Sequence, residues 1–248
     1  MYEILLQYGT FTLTTFDTLL VVGLLMGTVF LARYVQFKKM SLRFFVNHLF
    51  WFALGALVGG RIGYVAEHFY SYWGELLSVF YLWDMGFSPL GMFYATILLL
   101  AWLARRDHED FWAWLDAFAL AGLVALFFIH LGRFFDGTAY GKPTDLPWGI
   151  AFVNFNIPFQ TPIHPTQLYA ALASFVVFNM AMWSSKKTHL TGVAGTLAIM
   201  LYSFCALAID FFRGEPSMVN KVSFGALAAV AFVSHIHCSH KKMLKTDS

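Results

Sequence analysis

The feature that most constrains this chain is a series of apolar runs, each roughly twenty residues long and bounded by charge or by Gly and Pro. A run of that length crosses the hydrocarbon core of a bilayer as a helix. The runs do not alternate polar with apolar residues, which excludes a barrel, and lipid leaves no third way to satisfy the backbone. With 59% of its 248 residues hydrophobic and 12% charged, the chain is not a soluble domain. The expected fold class is all-α, a polytopic integral membrane protein forming one transmembrane domain over residues 1–248.

Seven spans are expected, at Thr15–Ala32, Phe44–Val65, Leu90–Leu103, Phe111–Ile129, Gln167–Trp183, Gly192–Phe212 and Val222–Ser234. The first has no basic stretch before it and no small-residue cleavage site after it, so it reads as a retained span. The segment Glu67–Asp84 is aromatic and mildly amphipathic, suited to lying along the interface. Lys and Arg in short loops stay on the cytoplasmic side. Arg33, Lys38, Lys39 and Arg43, then Arg105 and Arg106, then Lys186 and Lys187, then Lys241, Lys242 and Lys245 fall in alternate connections and the tail. The N-terminus is therefore expected outside and the C-terminus in the cytoplasm.

Three arginines depart from that pattern. Arg61, Arg133 and Arg213 fall at the outer ends of spans, together with His130, Asp136, His164 and Asp210. Ionisable groups where an apolar helix ends are costly in hydrocarbon and mark a site. The densest stretch is FFIHLGRFFDGTAYGK, Phe127–Lys142, in which His130, Arg133 and Asp136 are three residues apart and share a face if the helix persists. A guanidinium fork matches phosphate oxygens, so these arginines suit an anion, and in a membrane that anion is a phospholipid head group.

Each motif also has a plainer reading. GGRIGYV, Gly59–Val65, suits close helix packing through glycine with a snorkelling arginine. WDMGFSPLGM, Trp83–Met92, suits either an interfacial turn or irregular backbone lining a wet cavity. In HPTQLY, His164–Tyr169, the histidine serves equally as a polar cap, and DFFR, Asp210–Arg213, as an ion pair one turn apart. The tail HIHCSH, His235–His240, reads as the end of a span merging with Lys241 and Lys242 rather than as a metal site. Cys205 and Cys238 make neither a disulfide framework nor a zinc spacing. No metal, no soluble cofactor and no nucleic-acid partner is expected.

In this order, GGRIGYV, WDMGFS, LGRFFDGTAYG, HPTQLY and DFFR resemble the motifs of the bacterial prolipoprotein diacylglyceryl transferase family. The resemblance implies a seven-span plasma-membrane enzyme that moves diacylglycerol from phosphatidylglycerol to the cysteine thiol of a prolipoprotein and releases glycerol phosphate. Several positions depart from the family pattern. Leu90 stands where the family has a histidine, His130 where it has an arginine, and Thr138 where it has a glutamate. Arg133 and Asp136 replace asparagines, Ala206 and Asp210 replace an arginine and a glutamate, Phe16 replaces a tyrosine, and Ala170 replaces a glutamate. The exchanges retain charge in the region, which points to a rebuilt site in a divergent paralogue.

On this reading Arg61, Arg133 and Arg213 hold the phosphate, and Arg133 acts with His130 and Asp136 in catalysis. His130 is the candidate general base, since an unperturbed imidazole titrates near neutral pH. Asp136 orients His130 or Arg133, and His164 is the reserve base. Asp210, His164, Gln167 and Tyr169 complete the phospholipid-binding set. The partners expected are phosphatidylglycerol or another anionic phospholipid and a prolipoprotein or other acceptor entering from the bilayer. The alternative is a catalytically altered or inactive descendant that binds phospholipid or lipoprotein.

Overall fold

A computed structural model of the chain describes residues 4–8, 11–74, 86–152 and 157–240. The described residues are mainly helical, with one hairpin and three isolated bridges among them. The helices are α1 (Thr15–Phe37), α2 (Arg43–Glu67), α3 (Phe69–Tyr72), α4 (Pro89–Arg106), α5 (Phe111–Asp136), α6 (Thr166–Lys187), α7 (Val193–Asp210) and α8 (Met218–His240). Six of them, all except α3 and α4, are long and apolar enough to cross a membrane. The third expected span corresponds to α4, which has 18 residues and ends on Arg105 and Arg106.

The expected spans stop short of most helix ends. Helix α5 runs to Asp136 rather than Ile129, α6 to Lys187 rather than Trp183, and α8 to His240 rather than Ser234. Polar and basic residues end a hydrocarbon run without ending a helix, because their long side chains are good helix formers that reach outward to water. The tail His235–His240 is accordingly the last turn and a half of α8, with His235 Nδ1 3.1 Å from Thr196 Oγ1 of α7. Of the expected interfacial segment, Phe69–Tyr72 forms the single turn α3, and residues 75–85 lie outside the described residues.

No strand was expected, yet β1 (Ile4–Tyr8) and β2 (Phe11–Thr14) pair antiparallel ahead of α1. Strands of five and four residues offer too short a pattern to read without their partner. The hairpin passes into α1 through a capping box: the Thr14 amide donates to Asp17 Oδ2 at 3.2 Å, and the Asp17 amide donates back to Thr14 Oγ1 at 3.0 Å.

The chain forms two compact units, residues 35–115 and the remainder. Within the smaller unit, α2 packs on α4 through glycine. A Cβ at Gly59 would collide with Ala95, and one at Gly63 would come 2.8 Å from Gly91 Cα. This is the close-packing reading of GGRIGYV, the geometry small residues give to membrane helices. Helix α4 starts on the Ser88 cap, whose Oγ accepts the Gly91 amide at 3.2 Å, with Pro89 in the first turn.

Within the larger unit, Gly23 and Gly27 of α1 lie against the carbonyls of Ala125 and Ala121 of α5, where an added Cβ would come within 2.9 Å of each oxygen. Helix α6 packs on α7 and α7 on α8. The buried Asp116 carboxylate of α5 accepts the amides of Gly192 at 2.9 Å and Gly195 at 2.5 Å, so one helix caps the N-terminus of another. The connection from α5 to α6 has its own small core of Phe152, Ile157 and Ile163, with Phe134, Tyr140, Ile150 and Phe159 packed around it.

Candidate active site

Three helix ends meet in the larger unit, and backbone hydrogen bonds fasten them together. Helix α5 stops at Gly137, whose φ of 75° is open to glycine without strain. The chain then passes Thr138 to Lys142 and forms a bridge between Gly141 and Arg213, just beyond α7. Lys142 N donates to Phe212 O at 2.8 Å, and Gly214 N donates to Tyr140 O at 2.9 Å. The start of α6 closes the third side. Thr166 Oγ1 donates to Ala139 O at 2.7 Å, Gln167 Nε2 to Thr138 O at 2.8 Å, and His164 N to Lys142 O at 2.9 Å. Gly141 has no room for a side chain, since its Cβ would strike the His164 carbonyl.

This corner gathers all but one of the sequence-predicted residues. His130, Arg133 and Asp136 all lie within α5, because the helix persists past the expected end. His130 is buried, and its Nε2 is 2.7 Å from Tyr202 Oη of α7. The charges of Arg133 and Arg213 both act on Tyr202. Arg133 and Arg213 also face each other electrostatically, with Asp136 acting on Arg133. The hydrogen-bond partner of His130 Nε2 is thus Tyr202, and of the two partners expected for Asp136, His130 or Arg133, its charge acts on Arg133.

Asp210 closes α7 fully buried, 3.6 Å from Arg213 Nη1 and 3.9 Å from Lys221 Nζ of α8. The ion pair expected in DFFR is present, but Arg213 is outside the helix and in the bridge to Gly141. His164 is not the cap of α6, a position held by Pro165. Its Nδ1 is 3.2 Å from Tyr169 Oη, which accepts Trp148 Nε1 at 2.9 Å. The His164 ring lies 5.0 Å from Phe212. Outside the membrane-spanning segments, Tyr140 donates to Glu215 at 2.6 Å, and that bond first, desolvation second, holds its phenol above the ordinary value.

Arg61 belongs to the smaller unit. It is 4% exposed, so the snorkelling reading gives way to a buried guanidinium. Nη1 donates to Gly86 O at 3.3 Å, and the group lies over the rings of Tyr64 and Tyr72 at 5.9 and 5.6 Å. Beside it Ser88 Oγ donates to Glu67 at 2.5 Å. Leu90, half-buried in the first turn of α4, brings no ionisable group to this end.

Three residues at the corner escaped the sequence reading: Tyr202, Lys142 and Lys221. Lys142 Nζ donates to Phe211 O at 2.9 Å, and Lys221 reaches Asp210 as above. Tyr202 carried a signal, since Tyr202, Ala206 and Asp210 form one stripe at helical spacing. The arrangement offers fixed cations for an anion beside an imidazole–phenol pair. That pairing suits proton transfer next to a departing phosphate.

The family model described as prolipoprotein diacylglyceryl transferase matches residues 3–238. A phosphatidylglycerol–prolipoprotein diacylglyceryl transferase of Pseudomonas putida is 30% identical over 181 residues, covering 72% of this chain and 68% of the relative. The protein of the same name from Pseudomonas fluorescens is 32% identical over 181 residues, covering 72% of this chain and 67% of the relative. That from Pseudomonas entomophila is 29% identical, with the same two coverages.

Proposed function

Because this chain belongs to the prolipoprotein diacylglyceryl transferase family, we propose that it transfers the diacylglyceryl group of phosphatidylglycerol to the cysteine thiol of a prolipoprotein or a related acceptor. The setting is the outer face of the bacterial plasma membrane, with the N-terminus outside and the C-terminus in the cytoplasm. The basic ends of α4 and α6 support that orientation. The observation that supports the reading is the hydrogen bond between His130 and Tyr202, with the charges of Arg133 and Arg213 acting on that phenol.

In the reaction a C–S bond forms at the glyceryl carbon as its C–O bond to phosphate breaks. The thiol proton passes to His130, held by Tyr202, and glycerol phosphate leaves with the bonding electrons. Arg133 and Arg213 stabilise the charge that builds on the leaving group. Asp136 keeps Arg133 in place, and within the smaller unit Arg61 is by itself a phospholipid-binding residue in this proposal. His164, Gln167, Tyr169 and Asp210 shape the lipid side of the site.

One observation favours a second reading, a catalytically altered paralogue that binds phospholipid or lipoprotein. At the start of α4, Leu90 holds the family histidine's place, and Ser88 beside it is committed to Glu67 and to the helix cap. Purified protein, phosphatidylglycerol and a peptide with a lipoprotein-type cysteine decide between the two. Diacylglycerol on the peptide, seen by mass spectrometry, together with released glycerol phosphate, establishes the transfer. Bound phospholipid with neither product establishes the binding paralogue.

A further inference from the structure

Asp210 ends α7 fully buried and accepts no hydrogen bond at either oxygen among the described residues. Two cations balance it, one at each oxygen. Arg213 Nη1 stands 3.6 Å from Oδ1, and Lys221 Nζ of α8 stands 3.9 Å from Oδ2. Both are ion pairs, and both are too long to be hydrogen bonds. A buried carboxylate beside a single arginine is normally closed upon by the guanidinium fork. Here the carboxylate is shared, and the fork is not closed.

Helix α8 holds Lys221 against its own electrostatics. The residue lies in the first turn, where the helix dipole opposes positive charge, and that turn has no acidic residue to offset it. Helix α7 could carry the cation itself, since position 206 is one turn before Asp210 on the same face, but Ala206 has no charge. Other charged groups of the corner are engaged elsewhere: Lys142 Nζ donates to Phe211 O, and Glu215 accepts from Tyr140. The second cation beside Asp210 therefore comes from α8, its ammonium 5.4 Å from the Phe211 ring.

The charges of the trio decide what Arg213 can do. Arg213 and Lys221 bring two positive charges and Asp210 one negative, so one positive charge remains for a ligand. Without Lys221 the pair left behind is neutral. A buried carboxylate deprived of one cation draws the other onto itself, which would close the Arg213 fork on Asp210 and turn it from an approaching phosphate. We propose that Lys221 is a positioning residue of the transfer site: it balances Asp210 from α8 and so leaves the Arg213 guanidinium to the phosphate of the lipid. In this role Lys221 touches neither the lipid nor the thiol. The proposal rests on the reading of this corner as a phospholipid site.

The test is a double-mutant cycle on lipid retention by the full-length protein in detergent, titrated with phosphatidylglycerol and read by native mass spectrometry. Only protein that elutes monodisperse on size exclusion is scored. Lys221→Met, which keeps a long side chain and removes its charge, should weaken retention about tenfold, the value of weakening one charge-assisted hydrogen bond. Lys221→Arg should preserve it. In the Asp210→Asn background the same Lys221→Met change should weaken retention by less than about twofold, because no carboxylate is left to draw Arg213 away. In the transfer assay the loss should fall on the KM for phosphatidylglycerol and leave the KM for the acceptor peptide unchanged. Unaltered retention in Lys221→Met overturns the proposal. So does an equal loss in both backgrounds, the result expected if Lys221 contacted the lipid or only held the fold. The expected coupling without any transfer would sink the transferase reading alone, and transfer with equal losses in both backgrounds would sink the role of Lys221 alone. A wild-type protein that retains no phosphatidylglycerol overturns the phospholipid site and this role together.

Discussion

The buried bond from Asp116 to the start of α7 is the contact whose loss is easiest to quantify. Gly192 caps α7 with φ of 87° and supplies no side chain, so the cap comes from α5. Both Asp116 oxygens are used, on the amides of Gly192 and Gly195, and the residue is 3% exposed. Asp116→Ala removes two hydrogen bonds to a charged acceptor, each worth about 1.5–3 kcal/mol, and strands the donors. It also removes a negative charge from a helix N-terminus, worth a further ~0.3–1 kcal/mol. The sum is about 3–7 kcal/mol, which at roughly 2–4 °C per kcal/mol for a chain of this size lowers the melting temperature by at least about 7 °C. Asp116→Asn keeps one acceptor and should lose about half as much. Thermal unfolding in detergent, followed by tryptophan fluorescence and by recovery of monodisperse protein on size exclusion, measures both. If Asp116→Ala melts within about 2 °C of the wild-type protein, the capping argument is refuted.

Other outcomes follow from the site and the packing. His130→Ala should abolish turnover while leaving expression intact, and Tyr202→Phe should slow it; in the double variant the losses should not add, because the two act as one hydrogen-bonded pair. Arg133→Ala should weaken phospholipid retention, read by the amount of lipid that copurifies. Gly59→Leu should break the α2–α4 contact, since even a Cβ collides with Ala95, and the loss of folded protein on size exclusion reports it. The Tyr140–Glu215 bond raises the folded-state value of the phenol. Its stabilisation is therefore fully present below the unfolded value near 10 and is lost as pH rises through the higher folded value. Tyr140→Phe should remove that alkaline dependence in urea unfolding measured across the range.

The sequence exposes most of the helices because their signal is local: a run of apolar residues declares its own length, and Phe111 is both the expected and the observed start of α5. It also exposes His130, Arg133 and Arg213, since charge at the end of an apolar run is conspicuous. Partners are a different matter. Nothing near His130 in the chain points to Tyr202, which lies 72 residues away, and nothing near Asp116 points to Gly192. The hairpin before α1 and the bridge from Gly141 to Arg213 are pairings between short segments, and neither half carries a period long enough to announce the other.

The fastening of the corner bears on how the site can change. Lys142, Phe212, Gly214, Tyr140 and His164 join through amides and carbonyls, and Thr138 and Ala139 contribute only their carbonyls to α6. Such a clasp is blind to most side chains: what it forbids is a proline at a donating position, bulk at Gly141, or a change in segment length. The side chains at positions 130, 133 and 138 can change while the anchoring points stay where they are. A corner built in this way works as a socket, able to hold its geometry constant when the chemistry plugged into it is changed.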